Sequence, residues 1–175
     1  MHGIFNFPNN THSIGASPTM FTAFRASAGA AALLAIIGMS VPAMSADNAA
    51  AIQARQDLMK SNGAANAALK KVIDAGGTDK AELTKQAAVL AATGAKNVDE
   101  LFPAGSGAAA GKTRAKDDIW SMSADFKASW ASFAKATADL SKAAAAGDLA
   151  AIKTAYDETG KTCAACHGKF RGPAS

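Results

Sequence analysis

The chain has 175 residues, 49% of them hydrophobic but only 6% aromatic, and carries a formal charge of +4. Alanine dominates, which excludes a β-sandwich, whose strands need Val, Ile, Thr and aromatic side chains, and favours helices. Basic residues are scattered singly with no aromatics interleaved, so the charge marks a solvated surface and no nucleic-acid partner is expected.

Residues 1–46 contain one basic side chain, Arg25, and no acidic one. A small and apolar run from Ala28 to Met39 follows, then Pro42 and small residues up to Ala46. This is the layout of a secretory signal peptide, whose exit also fits Ala43 or Ser45. An uncleaved membrane anchor is the rival, but the run is shorter than the roughly 20 residues that span a bilayer. The expectation is a signal peptide over 1–46, with Met20 as an alternative start, and a single domain over 47–175. Export to the periplasm and no stable membrane insertion after cleavage follow from it. Only one of the 18 Lys+Arg and none of the 14 Asp+Glu fall in the leader, so the domain keeps a small positive charge.

Apolar spacing and breakers give four helical segments. The first spans about Asp47 to Asp74 and stops at Gly76-Gly77. Its Ile52, Met59 and Ile73 share one face, with Arg55 on the same side. The second, roughly Asp79 to Asn97, steps through Leu83, Ala87, Leu90 and Gly94, and Leu101 to Gly111 is a loop. The third starts near Arg114 to Asp117 and repeats Ile119, Phe126, Phe133 and Leu140 at heptad spacing, flanked by Trp130 and Thr137. That is the seam of a helix lying along near-parallel neighbours. Gly147-Asp148 breaks it, and the fourth helix carries Leu149, Tyr156, Cys163 and Phe170 on a second heptad line. The fold class is therefore all-α, an antiparallel up-down-up-down four-helix bundle with its crevice chiefly between the first and fourth helices. Alanine buries little surface, so such a bundle gains from a large apolar ligand in its core.

Cys163-Ala164-Ala165-Cys166-His167 is the attachment signal of a c-type haem. On a helix the two thiols share a face and can each form a thioether to a haem vinyl, while His167 sets its imidazole under the iron. A thioredoxin-like dithiol needs a preceding strand, and no strand pattern exists. Zinc lacks a fourth ligand, because His2 and His12 lie in the leader and leave His167 alone. That count also excludes bis-histidine ligation within one chain. Of six methionines only Met59 and Met122 lie beyond the leader. Met122 falls off the Ile119/Phe126 seam, whereas Met59 is on the core stripe. A methionine there is ordinarily packing, but above a covalent haem with one imidazole it becomes the candidate sixth ligand.

A Cys-x-x-Cys-His at the end of a four-helix chain resembles the class II cytochromes c, the cytochrome c-prime family. The likeness extends through 54–60 of the first helix, Asp118-Ile119-Trp120-Ser121, Ala146-Gly147-Asp148-Leu149 and 163–171. Counting on from Arg55-Gln56, the family's position above the iron is Met59, which implies the low-spin, His/Met-ligated branch. Arg55 needs an anionic partner if buried. A haem propionate is the candidate for it, and by resemblance for Gln56, while a surface Arg55 lying along the bundle is the rival. The resemblance also sets Arg171 near the proximal face. The implied function is a periplasmic, non-enzymatic carrier of single electrons between redox proteins, with one covalent haem c and a homodimer as an option. The alternative is a five-coordinate cytochrome c-prime that binds NO or CO with Met59 swung aside.

Overall fold

A computed structural model describes residues 44–173. Most of the expected signal peptide, the alternative start at Met20, and His2 and His12 lie outside the described residues. The first helix, α1, is Met44–Asp74, so it starts before the expected Asp47. It ends where Gly76 and Gly77 take φ of 90° and 70°, and the Gly77 amide returns to the Val72 carbonyl at 2.8 Å. Glycine tolerates these left-handed angles because it has no Cβ.

Helix α2 is Lys80–Gly94, capped by the Asp79 carboxylate, which accepts from the Glu82 amide. It stops short of the expected Asn97, which instead caps a single turn, α3, Val98–Leu101. The expected loop contains a further 3-10 turn at Ala108–Ala110. The third expected helix is divided into α4, Asp118–Ser121, and α5, Ser123–Ala146, because Met122 leaves helical geometry at φ −117° and ψ 44°. Gly147, at φ 81°, ends α5, and Asp148 caps α6, Leu149–Phe170.

The chain is an all-α four-helix bundle built from α1, α2, α5 and α6. Close packing runs from α1 to α2, from α2 to α5, and from α5 to α6. Among the described residues α1 and α6 are not such a pair, although the Tyr156 hydroxyl donates to the Asn66 carbonyl across them at 3.3 Å. The opening left between these two helices is where the site forms.

Two apolar clusters result. One, at the end of the bundle near the α1–α2 turn, joins Leu69, Ile73, Leu83, Leu90, Leu140 and Ile152. The other joins Ile119, Phe126 and Phe170 and borders the opening. The seam Ile119, Phe126, Phe133, Leu140 is buried throughout, together with Trp130 and Thr137. The stripe expected on α6 is rotated: Ile152, Thr159 and Phe170 are its buried residues, while Leu149, Tyr156 and Cys163 are half-buried. Thr159 is buried at no polar cost because its hydroxyl donates to the Ala155 carbonyl at 2.8 Å. Among the described residues Ala115 and Arg171 form an isolated antiparallel bridge. No helix among the described residues is long and apolar enough to cross a membrane.

Candidate haem site

Helix α6 presents Cys163, Cys166 and His167 within little more than one turn, and all three are half-buried. Helix α1 presents Arg55, Gln56 and Met59 across the opening. Between them lies a cavity of about 450 Å³, within the usual size of sites for large organic ligands. Arg55, Gln56 and Met59 border it from α1, and Cys166 and His167 from α6. Aromatic and aliphatic side chains, Phe102, Ile119, Phe126, Trp130 and Phe170, make its wall. Phe126 is the hub of that wall, with Phe102 and Phe170 set edge-on to it at centroid separations of 4.8 and 5.1 Å. Cys163 does not line the cavity; it sits one turn earlier on the same helix.

The donor chemistry fits a covalently held haem better than its rivals. Burial pushes both thiols above the ordinary cysteine value, so they are protonated, opposite to the acidified thiol of a redox dithiol. Burial first, then the nearby charges of Arg171 and Arg114, holds the His167 imidazole below its ordinary value. It is therefore neutral, with a lone pair free for a metal. Among the described residues no three or more His, Cys, Asp or Glu are grouped as ligands of a metal ion. Both cysteines are free, as thioether formation requires.

The flanking residues behave less simply than their sequence neighbourhood implies. Arg55 is 4% exposed, and among the described residues no carboxylate of the chain pairs with it. Its guanidinium instead donates to the Ser106 hydroxyl at 2.6 Å, the Ser106 carbonyl at 2.8 Å and the Leu101 carbonyl at 3.2 Å. A longer contact of 3.5 Å reaches the Thr113 hydroxyl, and the guanidinium carbon lies 4.8 Å from the Phe102 ring centroid. Gln56 donates its side-chain amide to the Lys112 carbonyl at 2.8 Å. Arg171 is exposed and lies beside His167, bordering the cavity as well as a second hollow behind the imidazole that Arg114 also lines.

Sequence reasoning missed Arg114, Ser106, Thr113 and the wall residue Phe102. Arg114 reads in the sequence as the start of a helix. In the fold it runs in the segment bridged to the chain end, and its Nε donates to the carbonyls of Gly172 and Pro173 at 2.9 and 3.0 Å. Met122 is 39% exposed and does not border the cavity.

Residues 50–171 match the protein family described as Cytochrome C'. The chain belongs to the cytochrome c' family. It is 34% identical over 120 residues to the cytochrome c' of Pararhodospirillum photometricum, covering 69% of this chain and 94% of that one. A nitric oxide complex of a cytochrome c prime variant from Alcaligenes xylosoxidans superposes with a TM-score of 0.63 at 26% identity, covering 72% of this chain and 97% of that one. A cytochrome c' described by its ligand-controlled dimer dissociation gives a TM-score of 0.67 at 26% identity, with the same two coverages, 72% and 97%. The cofactor is one covalently attached haem c, and the family places the chain among the haem-iron proteins of electron transport. These relatives are all cytochromes c', and none of the matches singles out the methionine-ligated branch expected from Met59.

Proposed function

We propose that the chain is a periplasmic haem c protein that binds a diatomic gas such as NO or CO. In this reading Cys163 and Cys166 carry the two thioether bonds and His167 is the one axial ligand supplied by the protein. The face bordered by Met59 is left for the gas. The single observation behind it is the cavity shared by His167 and Cys166 on α6 and by Met59 on α1, in a chain matched to cytochrome c'. The nitric oxide complex among the solved relatives points the same way.

When bound, the haem would supply an iron able to take a nitrogen ligand from His167 and a small neutral ligand or the thioether of Met59. The rest is done by the chain. His167, kept neutral, offers its lone pair. Phe126, Phe170, Ile119 and Trp130 exclude water from the cavity. The residues that line it include no carboxylate. Reversible binding suits that lining, and no enzymatic turnover is assigned. A homodimer belongs to this reading, supported by the relative described by its dimer dissociation.

A second reading keeps Met59 on the iron and makes the protein an electron carrier between redox partners. The observation favouring it is that Met59 is the only methionine bordering the cavity among the described residues. Met59 is half-buried and flexible, which is compatible with either position. The visible spectra of the reduced protein and of Met59→Leu, both without gas, separate the two. High-spin bands in both support an open face. Low-spin bands in the parent that become high-spin in the variant would establish ligation by Met59.

A further inference from the structure

Arg55 is a buried cation, and its hydrogen-bond partners among the described residues share one origin. Leu101, Ser106 and Thr113 all belong to the segment that crosses the mouth of the cavity between α3 and α4. Gln56, the next residue on α1, takes the Lys112 carbonyl of the same segment. The guanidinium also covers Phe102, whose ring packs edge-on against Phe126 and Trp130 in the wall. Among the described residues no side chain of α1 other than Arg55 and Gln56 is hydrogen-bonded to this stretch, although α3 and the turn at 108–110 also pack on that helix. Its remaining anchors lead elsewhere, to the Trp120 indole through the carbonyls of Phe102 and Pro103, and to the chain end through Arg114.

The geometry points to Arg55 as a positioning residue that clasps segment 101–113 against α1 and so holds the Phe102 wall of the cavity shut. Its planar fork reaches a hydroxyl and two carbonyls at once, which a lysine ammonium at the end of a flexible stem does not reproduce. A clasp asks for the fork, so lysine should not replace arginine in it.

The test is limited digestion of the haem-loaded protein by trypsin, reading cleavage after Lys112 and Arg114 against cleavage elsewhere in the chain. Segment opening is expected to expose these bonds, so Arg55→Gln should raise their cleavage rate about tenfold through the loss of buried charged hydrogen bonds. Arg55→Lys should not restore the parent rate, and Ser106→Ala should raise it in the same direction by a smaller factor. The association rate of CO with the reduced protein should rise with cleavage, since the same wall closes the cavity. Unchanged cleavage in Arg55→Gln, or full restoration by Arg55→Lys, would overturn the clasp. If Arg55→Gln fails to fold, Ser106→Ala decides: faster cleavage upholds the clasp and an unchanged rate overturns it. Cleavage is read independently of iron coordination, so the clasp stands or falls apart from the gas-binding reading.

Discussion

Met59 on α1 and His167 on α6 border one cavity from two helices that are not themselves closely packed. The arrangement places a soft, unbranched side chain opposite an imidazole held neutral by burial and by two arginines. If Met59 is a lid over an open face, its bulk slows entry without forming a bond. Met59→Ala should then speed CO association with the reduced protein by about tenfold or more, equivalent to ~1.4 kcal/mol off the barrier. Stopped-flow mixing measures it, and an unchanged rate would remove Met59 from the path of the gas.

The two apolar clusters predict unequal consequences of leaving the haem out. In a chain made with Cys163→Ser and Cys166→Ser, the cluster of Leu69, Leu83, Leu140 and Ile152 keeps all its contacts. The cluster around Phe126 and Phe170 instead faces an unfilled apolar cavity, whose lining lacks partner atoms. Hydrogen exchange should remain slow at Leu69, Leu83, Leu140 and Ile152, and become fast over 101–121. Uniform loss of protection would show instead that the bundle folds only around its haem.

Helix α2 lies close against α5 at Gly94. A Cβ there would stand 2.8 Å from the Cα of Ala134 and 2.7 Å from the Thr137 hydroxyl oxygen, closer than atoms pack. Thr137 cannot readily yield, because its hydroxyl is bonded to the Phe133 carbonyl at 3.0 Å. Gly94→Ala should therefore cost about 1–3 kcal/mol, the usual penalty of overpacking, in urea denaturation. Little change in the midpoint would mean that the two helices separate easily.

Large apolar side chains made most of the bundle legible. Ile119, Phe126, Phe133 and Leu140 recur at heptad spacing, and burial follows that line without exception. On α6 the same reasoning slipped. The helix is rich in Ala, Thr and Gly, so a few residues set the apparent stripe, and Thr159 reads as polar although its hydroxyl is satisfied within its own helix. The attachment motif and Met59 were visible because their chemistry is local or counted by elimination. The segment from Leu101 to Lys116 was not. It is held by side chains bonded to carbonyls and hydroxyls 46 to 58 residues away, which leave no periodic trace. The placement of Arg114 depends likewise on the bridge between Ala115 and Arg171, two stretches of chain that only the fold brings together.

Exposure of the reduced protein to carbon monoxide, followed in the visible spectrum, tests the central claim most directly. An iron held by His167 alone on the protein side predicts rapid conversion of a high-spin spectrum to that of the CO complex. Sharp low-spin bands indifferent to the gas would contradict it and place Met59 on the iron.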